Sequence, residues 1–451
     1  MKFIPYSLAI LIFAIFNFMI GYDTYSSAGL SIFTYWISRL LTFSIYYLPV
    51  KELFFSLYSL QYLFSPAFMY NGLEDYTIYK MKTPVDQYYS YAIPLLIVFS
   101  LGFAVFFDSS KLKIDRNKID IFLFFNPSIP YYLIVVGFIA PLFYFVLPKS
   151  FNFIVYVAEA FKFIGLFILI SSSTKPKFGL LTIIFSGLII SSFAGGMFHD
   201  LLTWLIMLGL ILNYRYRPSI SLKILGVFVF VIFTMFIQLI KDNLRARIWE
   251  QGENVSLDLL ESASGEAKES KGSFFSFETL GPTVNRINQG WVLASTLENV
   301  PENIEHSNGL LIREYLIAAT MPRFLFPDKM NGGDTKYFNM YSGHFASSNT
   351  VMVLGIPTEA YVEFEGYGAF IYIFFYGVLY GWFLSFFAKK SEDFPILAIF
   401  TILVFVYPIR PDCDTQTGLG HLFKTSILLY FVFNLYKSKL NILYLRRTNG
   451  I

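Results

Sequence analysis

The chain has 451 residues, a net charge of +3 and a composition that is 55% hydrophobic and only 14% charged. Soluble domains carry about 25% charged residues, so this composition excludes an ordinary soluble domain and indicates a polytopic membrane protein. No basic tract suits a nucleic acid, and the single cysteine, Cys413, excludes an intrachain disulfide and a cysteine-built metal site.

Apolar runs close to twenty residues long recur along the chain, and they predict an all-α protein with about twelve transmembrane helices. The runs lie near 4–22, 28–49, 52–70, 88–107, 130–147, 152–171, 178–194, 198–213, 219–240, 366–387, 394–409 and 420–436. The weakest are 52–70, which contains Pro66, and 198–213, which is short; a re-entrant or tilted segment could replace either. This predicts a membrane bundle of about nine spans in 1–240, one large hydrophilic loop in 241–365, and about three spans with a tail in 366–451.

Lysine and arginine in the short connections predict the orientation, because they are enriched on the cytoplasmic side of membrane proteins. With the N-terminus inside, seventeen basic residues fall in cytoplasmic segments and four in short outer loops. Both termini are therefore predicted to be cytoplasmic, and 241–365 to lie outside. In a bacterial inner membrane the large loop would face the periplasm.

The first part of the large loop is rich in Ser, Gly and Glu and predicts a flexible connector. After it, Pro282 suits the first turn of a helix whose apolar face runs from Val284 to Ala294 and carries Arg286 off that face. A solvated arginine on an interfacial helix is the alternative interpretation of Arg286.

The stretch PRFLFPDK, residues 322–329, follows a second amphipathic helix. Its two prolines hold the chain extended around Arg323, and the aromatic neighbours suit a headgroup-level interface or a sugar ring. Arg323 could instead hold the loop together through Asp328. His306 and His344 lack carboxylate partners at ligand spacing, so no metal site and no cofactor are predicted.

The segment GIPTEAYVEF leads into the next span, with Thr358 as a candidate helix cap. Glu359 and Glu363 are then four residues apart on one helix face, where they could act as a base or complement the helix dipole. Charges inside predicted spans are functional candidates by default, although Glu159 and Lys162 are three apart and are expected to pair.

The predicted outer side is rich in arginine: Arg245, Arg247, Arg286, Arg313, Arg323 and Arg410. The planar guanidinium matches diphosphate oxygens and keeps its charge when partly buried. A lipid-linked sugar diphosphate would place its tail in the bilayer and its head at these arginines. Fixed arginines could stabilise a diphosphate leaving group without a metal ion.

The order of these features resembles that of the Wzy-type O-antigen polymerases, the oligosaccharide repeat-unit polymerases, which are similar in architecture to the O-antigen ligases. The resemblance rests on NRIN (285–288), PRFLFPDK (322–329) and TEAYVEFEGYG (358–368). It implies a GT-C-like helical fold and a metal-independent glycosyltransferase acting on the periplasmic face. It also implies an undecaprenyl-diphosphate-linked donor and acceptor, and partners such as a flippase and a chain-length regulator.

By this resemblance, Arg286, Arg323 and Lys329 are expected to bind the diphosphate, with Arg245, Arg247 and Arg410 as further candidates for the same role. Glu359, Glu363 or His344 is expected to deprotonate the acceptor. The rival interpretations are an O-antigen ligase, which differs in its acceptor, and a lipid-linked oligosaccharide flippase or other transporter. A transporter is expected to show internal repeats and a midplane site. The sequence shows no convincing repeat.

Overall fold

All regular structure in the described part of the chain is helical. The computed structural model describes residues 3–43, 46–76, 79–174, 177–245, 277–321, 326, 328–330, 332–333, 335–346 and 351–448. Within these ranges there is no β-strand, only an isolated antiparallel bridge between Tyr47 and Lys113. The predicted all-α class is therefore confirmed.

The helices fall into three groups along the chain. The first group is α1 (Ile4–Ala14), α2 (Thr24–Thr42), α3 (Val50–Ser59), α4 (Ser65–Phe68), α5 (Val85–Phe106), α6 (Arg116–Phe125), α7 (Ile129–Ile139), α8 (Asn152–Ser171), α9 (Phe178–Gly195), α10 (His199–Tyr216) and α11 (Ile220–Arg245). The predicted loop contains the short helices α12 (Phe277–Ile287), α13 (Gly290–Asn299), α14 (Leu310–Thr320), α15 (Thr335–Ser342) and α16 (Ile356–Glu363). The chain closes with α17 (Tyr367–Asp393), α18 (Leu397–Phe405) and α19 (Thr415–Thr448).

Five helical segments in the described ranges are long and apolar enough to cross a membrane. They are Val85–Lys111, Lys149–Ser171, Phe178–Gly195, Ile220–Gln238 and Tyr367–Asp393. A sixth arises if α6 and the segment Ile129–Phe145, which bend by 82°, form one broken span. The structure is thus compatible with a helical membrane protein.

Other predicted spans are helical but shorter or interrupted. The run 4–22 forms an apolar helix from Ile4 to Ile20 that ends at Gly21, whose φ of +86° suits only glycine. The run 52–70 is divided by two π-helical turns and reaches a kink with non-helical dihedrals at Asn71 and Gly72. Pro66 lies in this region and lacks the N–H that a regular helix requires.

Helices α5 and α17 form a closely packed pair because glycines remove side chains from their interface. A Cβ atom on Gly102 would overlap the carbonyl oxygen of Phe374, and one on Gly377 would lie 2.5 Å from the carbonyl oxygen of Phe99. Small residues let membrane helices approach this closely and gain van der Waals contact. This pair places α16, which precedes α17, at one end of the bundle.

Two pairs of oppositely charged residues lie within the predicted spans. Lys162 Nζ lies 2.9 Å from Glu159 Oε1, which confirms the predicted pair. Arg39 Nη2 donates to Glu52 Oε1 at 3.2 Å, and Ser109 Oγ donates to Glu52 Oε2 at 2.5 Å. Pairing offsets part of the cost of burying charge.

The connections that the charge bias assigns to the cytoplasm lie together at one end of the bundle. Their basic side chains bind carbonyl oxygens at or beside helix C-termini: Lys118 to Glu392 at 2.9 Å, Arg215 to Ser172 at 2.6 Å, and Lys223 to Leu41 at 2.9 Å. Cations are favourable at helix C-termini because the last carbonyls carry partial negative charge. The basic connections, which alternate with less basic ones along the chain, therefore contact one another's helix ends in the structure.

The short helices of the large loop pack on the opposite end of the bundle. Thr83 Oγ1 donates to the carbonyl of Ala294 in α13 at 2.5 Å, while α14 packs along α19. Gln416 Nε2, in α19, donates to the carbonyl of Met330 at 3.1 Å. The described part of this loop thus shares the bundle's hydrophobic core.

Candidate functional site

The carboxyl of Glu359 lies fully buried in the first turn of α16. This helix begins at Ile356, directly after Gly355, whose φ is +82°, and Pro357 occupies its first turn. The prediction that Thr358 caps the helix is therefore wrong. Proline in the first turn and glycine before it start the helix three residues earlier than a threonine cap would.

Glu359 combines burial with a strong bias toward its protonated form. Oε2 accepts a hydrogen bond from the Thr415 backbone N–H at 3.0 Å, and Oε1 has no hydrogen-bond partner among the described residues. Burial, followed by the negative charge of Asp414, raises the pKa of Glu359 to about 8, although the hydrogen bonds from Thr415 and Tyr315 oppose the rise. Such a carboxyl holds a proton near neutral pH and is a strong base when it loses it.

Glu363 is on the same helix but serves a different contact. Its Oε2 accepts from Ser307 Oγ at 2.6 Å and from the Gly309 N–H at 3.0 Å, directly before α14. Burial raises the pKa of Glu363, and these hydrogen bonds oppose the rise. The two glutamates are thus both buried on neighbouring turns of one helix, but their carboxyls accept hydrogen bonds from different partners.

The loop from Tyr407 to Thr415 carries both the Thr415 N–H that contacts Glu359 and a cationic side chain, Arg410. Arg410 stacks over the Tyr407 ring at 4.7 Å, and its Nε lies 3.6 Å from Asp412 Oδ1, beyond hydrogen-bond distance. Nε has no hydrogen-bond partner in the described structure. His199, at the start of α10, places Nδ1 3.7 Å from Asp412 Oδ2. Asp412 therefore lies between the guanidinium of Arg410 and the imidazole of His199, with neither within hydrogen-bond distance.

Asp412 is ionised in this setting. Burial by itself would raise the pKa of Asp412, but the charges of Arg410 and His199 lower it below its ordinary value. Asp414, two residues later, accepts from the Thr417 N–H at 2.6 Å, and burial raises its pKa. One short loop thus holds two aspartates whose pKa values are shifted in opposite directions.

Arg286 belongs to this cluster through electrostatics. Its charge acts on both His199 and Asp412. The predicted single helix through Ala294 is wrong: α12 contains Pro282 in its interior, ends at Ile287, and α13 begins at Gly290. The break lets the chain turn and places Arg286 at the end of α12.

The turn between these helices is held from two sides. The Gln289 backbone N–H donates to the carbonyl of Gln61 at 3.2 Å, and its Nε2 donates to the carbonyl of Val353 at 3.1 Å. A Cβ on Gly355 would lie 2.9 Å from the carbonyl oxygen of Pro411, so the chain before Glu359 touches the arginine-bearing loop. Glu359, Arg286 and Arg410 are therefore parts of one site.

Lys329 and His344 make other contacts. Lys329 Nζ donates to the carbonyls of Ala318 and Met321, and so it stabilises the C-terminal end of α14. His344 Nε2 lies 3.0 Å from Ser295 Oγ, and burial, followed by the charge of Lys82, lowers the pKa of His344. No described contact joins either residue to the loop that carries Arg410.

Three of the predicted arginines cannot be placed with their side chains. Arg323 and Arg247 lie outside the described residues, and Arg245 is the last residue of α11, with only its backbone described. The residues that sequence reasoning gave no role are His199, Asp412 and Asp414. The dense pattern R-P-D-C-D after an apolar run was the available signal, because charge at a span's edge is costly without a function.

Comparison with known proteins does not assign the chain to a class: no protein-family model, curated protein or solved structure matches it. Within the described residues, no three His, Cys, Asp or Glu side chains form a group that could hold a metal ion. The candidate site therefore combines a carboxyl of high proton affinity with a loop that carries Arg410, and this combination suits acid–base chemistry near an anionic group.

Proposed function

We propose that this protein polymerises undecaprenyl-diphosphate-linked oligosaccharide repeat units into O-antigen or a related surface polysaccharide. The observation that carries the proposal is the loop from Arg410 to Thr415. It touches Glu359 through the Thr415 N–H and carries Arg410 and Asp412 toward His199 and the charge of Arg286. The same loop therefore contacts the candidate proton acceptor and carries the cationic group.

The proposed reaction is a glycosyl transfer. A hydroxyl oxygen of the acceptor sugar forms a bond to the anomeric carbon of the donor. The bond from that carbon to the diphosphate oxygen breaks, and the diphosphate leaves with the electron pair. Arg286 and Arg410 stabilise the developing charge, as fixed donors do in a low-dielectric site. Glu359 takes the hydroxyl proton. Arg323, Arg245 and Arg247 are proposed to extend the diphosphate site.

Glu359 is the preferred base among the three candidates because of its surroundings. Glu363 has an oxygen committed to Ser307 and Gly309, and His344 contacts Ser295 in α13. Oε1 of both glutamates has no hydrogen-bond partner among the described residues, but Glu359 contacts, through the Thr415 N–H, the loop that carries Arg410. An unpartnered buried oxygen is costly unless a ligand satisfies it, and a substrate hydroxyl would do so.

The proposed enzyme lies in a bacterial inner membrane with both termini in the cytoplasm. It crosses the membrane about twelve times in a GT-C-like arrangement, in which the shorter and interrupted helices act as tilted or broken spans. The domains are the nine-span bundle (1–240), the periplasmic loop (241–365) and the C-terminal spans with the tail (366–451). Support comes from the grouping of basic connections at one end of the bundle and of the candidate site at the other.

Deletion of the gene, scored on a polysaccharide gel, tests this function. A polymerase deletion removes the long ladder and leaves a single repeat unit attached to its core or lipid. Loss of all attachment would indicate an O-antigen ligase. If the deletion strain has neither surface glycan nor an externally exposed lipid-linked unit, the protein would be a flippase. Either of the last two outcomes would overturn the proposal.

A further inference from the structure

A second concave site lies at the same end of the bundle as Glu359. It is an open cavity of about 590 Å³ between the α1–α2 connection, the kink at Asn71 and the segment that leads into α5. Its walls include Asp23, Tyr70, Asn71, Lys82, Thr83 and Pro84. This volume falls in the range of small-molecule sites.

The backbone around this cavity is irregular, although it adjoins a predicted span. One π-helical turn, Leu60–Phe64, precedes the kink, and a second, Met69–Leu73, contains Asn71 and Gly72 with their non-helical dihedrals. Irregular backbone near the membrane is tolerated where it is buried in protein or lines a water-filled cavity, and π-turns are frequent at functional sites. The cavity accounts for the break in the helix.

Carboxylates outnumber basic side chains around this cavity. Asp23 belongs to its lining, and Glu74 Oε1 accepts a hydrogen bond at 2.7 Å from the backbone N–H of Met81, which also lines it. Lys82 is the one basic side chain in the described lining, and it lies 3.7 Å from Glu298. A diphosphate is therefore less favoured here than at the arginines. Carboxylate and amide oxygens beside an aromatic ring suit the hydroxyl groups of a sugar.

The α12–α13 turn separates the cavity from the candidate active site. Asn288 Nδ2 lies 3.5 Å from the sulfur of Met81, which lines the cavity. The next residue, Gln289, donates to the carbonyl of Val353, on the chain that leads into α16. The consecutive residues Asn288 and Gln289 thus contact the cavity wall and the chain that leads into the helix of Glu359, respectively.

From this arrangement we infer that the cavity binds the phosphate-free glycan portion of the acceptor, a hydroxyl-rich oligosaccharide. The inference rests on the proposed function and adds a subsite for the second substrate. The donor diphosphate then binds at the arginines, and the acceptor sugar, which carries no phosphate, binds in the acidic cavity.

Thiol protection in lipid nanodiscs tests the subsite without requiring activity. The native Cys413 is buried, so Pro84→Cys introduces an accessible thiol at the rim, and Glu305→Cys is the control at an exposed position of the large loop outside the cavity lining. The probes are repeat-unit oligosaccharide released by mild acid from the same cells, and inorganic diphosphate. At ten times its Kd the oligosaccharide should slow maleimide labelling of Pro84→Cys about tenfold and leave Glu305→Cys unchanged.

A second variant tests the carboxylate itself. Asp23 caps α2 by accepting from the Ser26 N–H at 2.8 Å, and asparagine caps equally well. Adding Asp23→Asn to the Pro84→Cys protein should weaken oligosaccharide protection about fivefold, because a charged acceptor is lost and the fold is kept. Protection by diphosphate, equal slowing at both thiols, or no slowing at all would overturn the subsite. An unchanged ladder in the deletion strain would instead remove the proposed function and leave the subsite standing.

Discussion

Replacement of Glu359 by glutamine should abolish chain extension while it leaves the protein folded. Glutamine has nearly the same shape, its carbonyl oxygen can accept from the Thr415 N–H, and it removes only the ability to gain and lose a proton. A positioned base contributes about 10²–10⁴-fold to a rate, so turnover should fall by that factor. The matched control is Glu363→Gln, on the same helix and equally buried, which should keep activity.

The magnitude of the stability effect follows from proton affinity. A pKa of about 8 in place of 4.5 corresponds to about 5 kcal/mol in favour of the neutral carboxyl. Between pH 4.5 and 8 the folded protein keeps a proton that the unfolded chain releases, so stability falls as pH rises through this window. Glutamine is neutral at every pH. The difference in unfolding free energy between Glu359→Gln and the wild type should therefore grow with pH and level off above pH 8.

Two assays on purified protein in nanodiscs check these effects. Thermal unfolding is followed by fluorescence from pH 5 to 9. The melting temperature of Glu359→Gln should rise relative to that of the wild type as pH increases. Polymerisation of a lipid-linked repeat unit by the wild type should increase with pH and reach a plateau above about 8. Full activity in Glu359→Gln, or a wild-type rate that falls as pH rises from 6 to 8, would refute the assignment of Glu359 as the base.

The remaining predictions concern the arginines and the packing. Arg410→Lys keeps the charge but loses the planar fork, so polymerisation should fall about 10–100-fold, measured by ladder length and by turnover in nanodiscs; full activity would exclude a bidentate role. Arg323→Lys should likewise shorten the ladder at normal protein level. Lys162→Met leaves Glu159 unpaired and should lower unfolding stability by about 2 kcal/mol, whereas adding Glu159→Gln should restore most of it; equal melting temperatures for the single and double variants would contradict this. Gly102→Leu forces α5 away from α17 and should cost about 1–3 kcal/mol, seen as a lower melting temperature.

Several features of this protein are local enough to follow from sequence. Apolar length predicted helices such as α5, α8, α9, α11 and α17, because a span must satisfy its own backbone hydrogen bonds. The spacing of Glu159 and Lys162 predicted their ion pair, since residues three apart share a helix face. The same argument placed Glu359 and Glu363 on one helix.

The ends of helices and the breaks within them were harder to predict from the sequence. Apolar length alone cannot show that the run 52–70 contains π-turns or that the chain turns at Asn288, because these depend on what packs against each segment. Thr358 is an acceptable cap by residue type, yet Gly355 and Pro357 start the helix earlier. Local signals compete, and packing decides among them.

Sequence by itself determined the all-helical class, the alternation of basic connections and the concentration of arginine and carboxylate in one part of the chain. Only the tertiary structure decided which charges meet. His199, Arg286, Glu359 and Arg410 come from four separate parts of the chain, and residue spacing does not determine contacts over such separations. The high proton affinity of Glu359 likewise arises because helices distant in sequence bury it beside Asp414, so it is a property of the packed bundle.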